Sequence, residues 1–191
     1  MIQAICFDLN GTLFDMSRPP EGVTEDMVRA EVAKYLTHIK KPEWSPLAGV
    51  LPSWWPDFPL FDDVVTGLSM LGAGGFVYHT LSNNPTGFQV VAFMNADCYF
   101  PSKQFIDLSS CHVYKPNQRA YDIVAGYIRR PHAEIAVVTA NESFGDLEGA
   151  RKAGLRPILL ERYGPKKDPN QESYRDCVEL ADALIAERGR Q

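Results

Sequence analysis

Asp8, Lys115 and Asp146 are the charged residues of this chain best placed by sequence to do chemistry, with Asn10 beside the first of them. Asp8 ends the apolar stretch of the run Ile5-Cys6-Phe7-Asp8-Leu9-Asn10-Gly11-Thr12-Leu13-Phe14-Asp15. A carboxylate at the end of a strand can attack an electrophilic carbon or phosphorus, leaving an ester for water to hydrolyse. The Gly11-Thr12 turn lets the backbone approach the group under attack, and the Thr12 hydroxyl and Gly11 amide can donate to it. Two further polar clusters, Ser82-Asn83-Asn84 and Thr139 to Asp146, also follow apolar runs. Lys115, in Val113-Tyr114-Lys115-Pro116, is a compact point charge suited to pairing with a carboxylate and an anionic group together.

The elements that must position these residues alternate along the chain. Strands are expected at 2–7, 76–81, around 104–108, at 135–139 and at 157–160. Helices are expected at 61–72, 86–96, 117–129, 143–153 and 172–187. Thr24 can cap an earlier helix whose first turn holds Glu25 and Asp26 and whose stripe is Val28, Val32, Tyr35, Leu36 and Ile39. Strands alternating with helices predict an α/β fold, a three-layer α/β/α Rossmann-like sandwich around a mostly parallel sheet. In such sheets ligands bind beyond the carboxyl ends of the strands, where all three polar clusters fall.

Residues 1–15 and 61–191 make up the expected core, and 16–60 a small cap inserted after strand one. From Pro42 to Pro59 the insert holds all three tryptophans, Trp44, Trp54 and Trp55, and prolines at 42, 46, 52, 56 and 59. That composition excludes a long helix or central strand and reads as an irregular, aromatic-packed lid. Its aromatics line an apolar substrate pocket, or form the lid's own small core or a dimer contact.

A net charge of −5 argues against nonspecific nucleic-acid or anionic-membrane binding, and no apolar run is long enough for a membrane span. The N-terminus enters a strand without a signal-like segment. The four cysteines, Cys6, Cys98, Cys111 and Cys177, form no Cys-x-x-Cys pair, which disfavours zinc and disulfide frameworks. A cytoplasmic monomer or homodimer acting on a small anionic substrate is the expectation. Of the histidines, His79 reads as structural, and His112 is a weak site candidate near Lys115.

The four motifs together resemble those of the haloacid dehalogenase (HAD) superfamily, spanning residues 5–154. The resemblance implies a hydrolase with Asp8 as covalent nucleophile and Lys115 ordering it and stabilising charge. Thr12, Ser82, Asn83, Tyr121, Thr139 and Asn141 then position the substrate anion. Asp146 orients Lys115, positions water or binds a metal.

Most phosphatases of that superfamily carry a second Asp where this chain has Asn10, and a further carboxylate where it has Asn141. Asn10 cannot protonate a leaving alkoxide, a loss of roughly 10²–10⁴ in rate. With only Asp8 and Asp146 charged, a Mg²⁺ site including Asn10 should be weak. Cleavage of a carbon–halogen bond needs neither a general acid nor a metal. The 2-haloacid dehalogenase branch is similar in Ser82-Asn83, in Lys115 with Tyr121 six residues on, and in Thr139-Ala140-Asn141. It differs in usually having an aromatic residue at the position of Asn10, a shorter spacing than Asn141 to Asp146, a longer cap, and a halide-binding arginine for which Arg18 and Arg29 are only candidates. The resemblance slightly favours a dehalogenase that needs no cofactor. A Mg²⁺-dependent phosphatase acting on a good leaving group, and a binding or regulatory relative, stay open.

Overall fold

The structure, a computed structural model, describes residues 1–38, 40 and 51–190. Five strands form one sheet: β1 (Ala4–Phe7), β2 (Val77–Thr80), β3 (Ile135–Thr139), β4 (Arg156–Leu160) and β5 (Ser173–Tyr174). Their order is β2-β1-β3-β4-β5, and every pairing is parallel. The register aligns the strand ends: Phe7 lies opposite both Thr80 and Val138. Asp8, Ser82 and Thr139 therefore emerge along one edge.

Alternate strand residues enter opposite faces, as the two-residue period requires. Ile5, Phe7, Ala136, Val138, Ile158 and Leu160 pack with residues of α2 (Val64–Ala73) and α6 (Cys177–Gly189). Ala4, Cys6, Ile135 and Val137 pack with Tyr121 and Val124 of α4 (Gln118–Ile128) and Ala150 of α5 (Asp146–Lys152). These are the three expected layers. Two helices complete the set, α1 (Glu25–His38) before α2 and α3 (Thr86–Asn95) after β2.

The insertion leaves and rejoins the core between two paired segments. Asp15 N–H donates to Pro59 at 2.7 Å and Phe61 N–H to Leu13 at 2.9 Å, flanking a bridge between Phe14 and Leu60. Within it, α1 begins after Thr24, whose hydroxyl accepts from Met27 N–H. Residues 51–60 contain a single turn of 3-10 helix, Trp55–Asp57, in keeping with the expected irregular lid. Ile39, Pro42, Trp44 and Pro46 lie outside the described residues.

Several elements depart from the sequence reading, among them α2, which starts at Val64 rather than at 61. No strand forms at 104–108. Ile106 N–H donates instead to the Thr80 hydroxyl at 3.1 Å, so a side chain takes the place of a ladder partner and β2 stays at the sheet edge. The expected helix at 172–187 starts at Cys177. Residues 173–174 extend the sheet as β5, and the Asp176 side chain accepts from Glu179 N–H at 2.8 Å, capping the helix there.

Candidate active site

Lys115 is the hub of the site. Its Nζ lies 2.8 Å from Asp8 Oδ1 and 2.7 Å from Asp146 Oδ2, and its side chain is 3% exposed. Burial alone would lower the lysine pKa; the two carboxylates reverse that and hold its proton firmly. Asp146 is shifted upward by burial and by the Asp8 charge, with Lys115 opposing. One ammonium shared by two carboxylates leaves the site with an excess negative charge.

Local structure explains each placement. Asp8 follows β1, and its Oδ2 accepts from Thr12 Oγ1 at 3.2 Å and Thr139 Oγ1 at 3.5 Å. Thr12 also accepts from Ala140 N–H at 2.9 Å, tying the first turn to the end of β3. Asp146 opens α5 because residues 141–145 form a turn rather than the expected start of the helix at 143. Ser143 N–H donates to Asn141 Oδ1, and Gly145 sits at φ +85° with Pro116 against it; a side chain there would be strained.

Asn83 fixes Lys115 from behind. Its Oδ1 accepts from Lys115 N–H at 2.8 Å, and its Nδ2 donates to Lys115 C=O at 3.2 Å and to Tyr35 Oη at 2.8 Å. Asn84 plays the matching part for the first turn. Its Nδ2 donates to Asn10 Oδ1 at 2.6 Å, and its Oδ1 accepts from Trp55 Nε1 at 3.3 Å. The adjacent asparagines thus join the insertion, through Tyr35 and Trp55, to the Lys115 segment and to the turn after β1.

A cavity of about 350 Å³ opens onto these groups, lined by Asp8, Asn10, Ser82, Asn83, Lys115, Asn141 and Asp146 among others. Three residues expected to bind substrate lie elsewhere. Thr12, Tyr121 and Thr139 are fully buried and are not part of the cavity wall. Tyr121 donates to Asp146 C=O at 3.0 Å, so it supports the carboxylate rather than a ligand. His112 is exposed and off the wall, and His79 is buried in β2. Arg29 pairs with Glu25 and Asp26 at the surface and Arg18 with Asp15 and Asp62. Among the described residues no arginine lines the cavity.

Sequence reasoning did not single out Tyr35 or Tyr163 as wall residues, while Trp55 was one of the lid aromatics for which a pocket was one reading. Asn84 was legible, since it continues the polar run after β2. Tyr35 read as one member of a helical stripe, and only the fold brings its hydroxyl to Asn83.

For magnesium, Asp8, Asn10 and Asp146 offer two carboxylates and one amide oxygen, each of them already partly engaged. Each carboxylate commits an oxygen to Lys115, the Asn10 amide oxygen is held by Asn84, and Mg²⁺ demands a near-ideal octahedron of oxygen donors. Among the described residues no group of three His, Cys, Asp or Glu side chains could hold a metal. No helix among them is long and apolar enough to cross a membrane.

No protein-family model matches the chain, and no curated protein matches it significantly in sequence. Solved structures do match. An L-2-haloacid dehalogenase from Xanthobacter autotrophicus with chloropropionic acid covalently bound is 18% identical, with all of both chains covered and a TM-score of 0.76. A defluorinating L-2-haloacid dehalogenase is 21% identical, covering 96% of this chain and 95% of that one at a TM-score of 0.75. A HAD phosphatase from Thermococcus onnurineus is 17% identical, covering 96% of this chain and 98% of that one at a TM-score of 0.68. At these identities the likeness establishes the fold alone, one shared with these L-2-haloacid dehalogenases and this HAD phosphatase.

Proposed function

We propose that this protein is a hydrolase working through an Asp8 ester, and that its reaction is dehalogenation of a 2-haloacid. The observation that carries the reading is the Asp8–Lys115–Asp146 triad, a carboxylate nucleophile ordered by a lysine where the second Asp of the phosphatases is an engaged asparagine. That pattern supports a reaction whose leaving group departs without a proton. The covalent chloropropionic acid adduct of the Xanthobacter protein is consistent with it.

The geometry is consistent with the following steps. Asp8 Oδ2 has only two long neutral contacts, so it is the freer oxygen. It attacks the halogen-bearing carbon, the carbon–halogen bond breaks, and halide leaves with the bonding pair. Oδ1, beside Lys115, becomes the ester carbonyl. Water then attacks Cγ, and the developing oxyanion on Oδ1 is stabilised by the ammonium. Asp146, made more basic by burial, accepts the proton from that water. Collapse breaks the ester C–O bond, the leaving 2-hydroxyacid oxygen takes the proton back from Asp146, and the restored Asp8 carboxyl loses its proton to solvent, one proton per halide.

The fold also serves phosphatases, so the deciding assay measures halide and phosphate release with Mg²⁺ and with a chelator. Halide release indifferent to the chelator, and lost in Asp8→Asn, supports the proposal. Mg²⁺-dependent phosphate release without halide release would overturn it.

A further inference from the structure

The cavity is larger and more apolar than a three-carbon haloacid requires. Its volume of about 350 Å³ falls in the range of sites that enclose drug-sized ligands. Around the polar floor its wall is Met16, Val32, Tyr35, Trp55, Phe144 and Tyr163.

The polar atoms of three of these residues are already engaged by neighbours. Tyr35 Oη accepts from Asn83, Trp55 Nε1 donates to Asn84, and Met16 Sδ accepts from Asn10 Nδ2 at 3.2 Å. Apart from the Tyr35 hydroxyl proton, what they present to a ligand is carbon. Tyr35 and Trp55 stack at 6.4 Å with an interplanar angle of 27°, which fixes the rings. At the mouth Phe144 and Tyr163 are 37% and 60% exposed, large apolar groups left open to water beside the site. With no arginine on the wall among the described residues, recognition away from the triad falls to apolar contact.

Resting on the Asp8-ester reading, we infer that the substrate carries a ring-sized apolar arm, seated against Val32, Tyr35, Trp55, Phe144 and Tyr163 while its reacting carbon meets Asp8. The preferred class is then a 2-haloacid with an aryl or comparably bulky substituent.

Two unreactive acids, 3-phenylpropionate and propionate, test the subsite by calorimetric binding to the intact protein. Two reactive ones, 2-chloro-3-phenylpropionate and 2-chloropropionate, test it by kcat/KM for halide release. Burying a phenyl group should favour the aryl member of each pair about ten- to hundredfold. Val32→Trp, which fills the subsite, and Phe144→Ala, which removes part of its wall, should each shrink the aryl-to-methyl ratio. Equal binding of the unreactive acids, or a ratio unchanged in both variants, would overturn the inference while leaving the dehalogenase reading intact. Tight 3-phenylpropionate binding with halide released from neither chloride would support the apolar subsite and refute the reaction.

Discussion

Replacing Lys115 with methionine should turn the heart of the site into a pH-dependent liability. The ammonium sits 2.7 Å and 2.8 Å from carboxylates whose side chains are 8% and 16% exposed, and it is the cation they share. Removing one partner from a buried ion pair costs about 3–5 kcal/mol, because the remaining charge is left uncompensated. The loss should fall in that range near neutral pH. Asp146 is already raised by burial and by Asp8, with Lys115 the main opposing influence, so in the variant it rises further. A carboxyl whose folded pKa exceeds its unfolded value stabilises the protein below the unfolded pKa, and that contribution is lost as pH rises through the folded pKa. The deficit of Lys115→Met should therefore shrink on acidification. Urea unfolding of Lys115→Met at about pH 7 and about pH 5 reads this directly. Adding Asp146→Asn, which removes the second charge, should recover most of the loss. A deficit under about 1 kcal/mol, the worth of a surface pair, would refute the reasoning. So would a deficit that grows with acidity, or a double variant no more stable than the single.

Tyr35→Phe removes one of the two acceptors of Asn83 Nδ2, leaving the Lys115 carbonyl. The expected cost is about 0.5–1.5 kcal/mol, read as a roughly two- to tenfold fall in kcat/KM for halide release; unchanged kinetics would show that the insertion does not act on Lys115 through Asn83. Gly149→Ala places a Cβ 2.6 Å from Tyr121 Oη and 2.9 Å from Pro116 C=O. Overpacking of this kind costs about 1–3 kcal/mol, so an unaltered Tm would contradict the described packing under Asp146. Asp63 is held below its ordinary pKa: burial opposes this, but Arg162 at 2.7 Å and 2.9 Å and the Cys177 N–H prevail. Its stabilisation is present above about pH 4 and lost as pH falls through the folded value. Arg162→Met should lower stability at neutral pH and flatten its acid dependence below about pH 4; an acid-unfolding profile parallel to that of the native protein would count against the assignment.

Strand β3 was legible at residues 135–139 to its last residue, because Ile-Ala-Val-Val-Thr is apolar on both faces and bounded by polar turns. The three residues that meet at the triad, Asp8, Lys115 and Asp146, were equally legible, since each follows an apolar run or stands in a short distinctive motif. Residues 104–108 misled for a physical reason. Phe105, Ile106 and Leu108 are buried as a strand would require, but Thr80 and Gln89 side chains meet the Ile106 backbone, which no local pattern records. The start of α6 was recoverable, because Asp176 followed three residues later by Glu179 is a helix-capping signature. Tyr35 and Trp55 were legible as apolar bodies and not as hydrogen-bond partners of Asn83 and Asn84. Their partners are 48 and 29 residues away in the chain, and only the closing of the insertion over the sheet edge pairs them. Two of the three readings of the lid aromatics, the lid core and the pocket wall, have a counterpart: Trp54 and Trp55 pack with Leu51, Phe58 and Tyr114, and Trp55 also faces the cavity.

The central claim is that Asp8 becomes an ester and that water cleaves it at Cγ. A single turnover of 2-chloropropionate, with protein in excess and in heavy-oxygen water, tests it most directly. The account predicts that the peptide containing Asp8 gains one heavy oxygen, while the first 2-hydroxyacid released carries an ordinary oxygen taken from the carboxylate. Heavy oxygen in the product hydroxyl, with none in Asp8, would mean that water displaces the halide without an ester and would contradict the account.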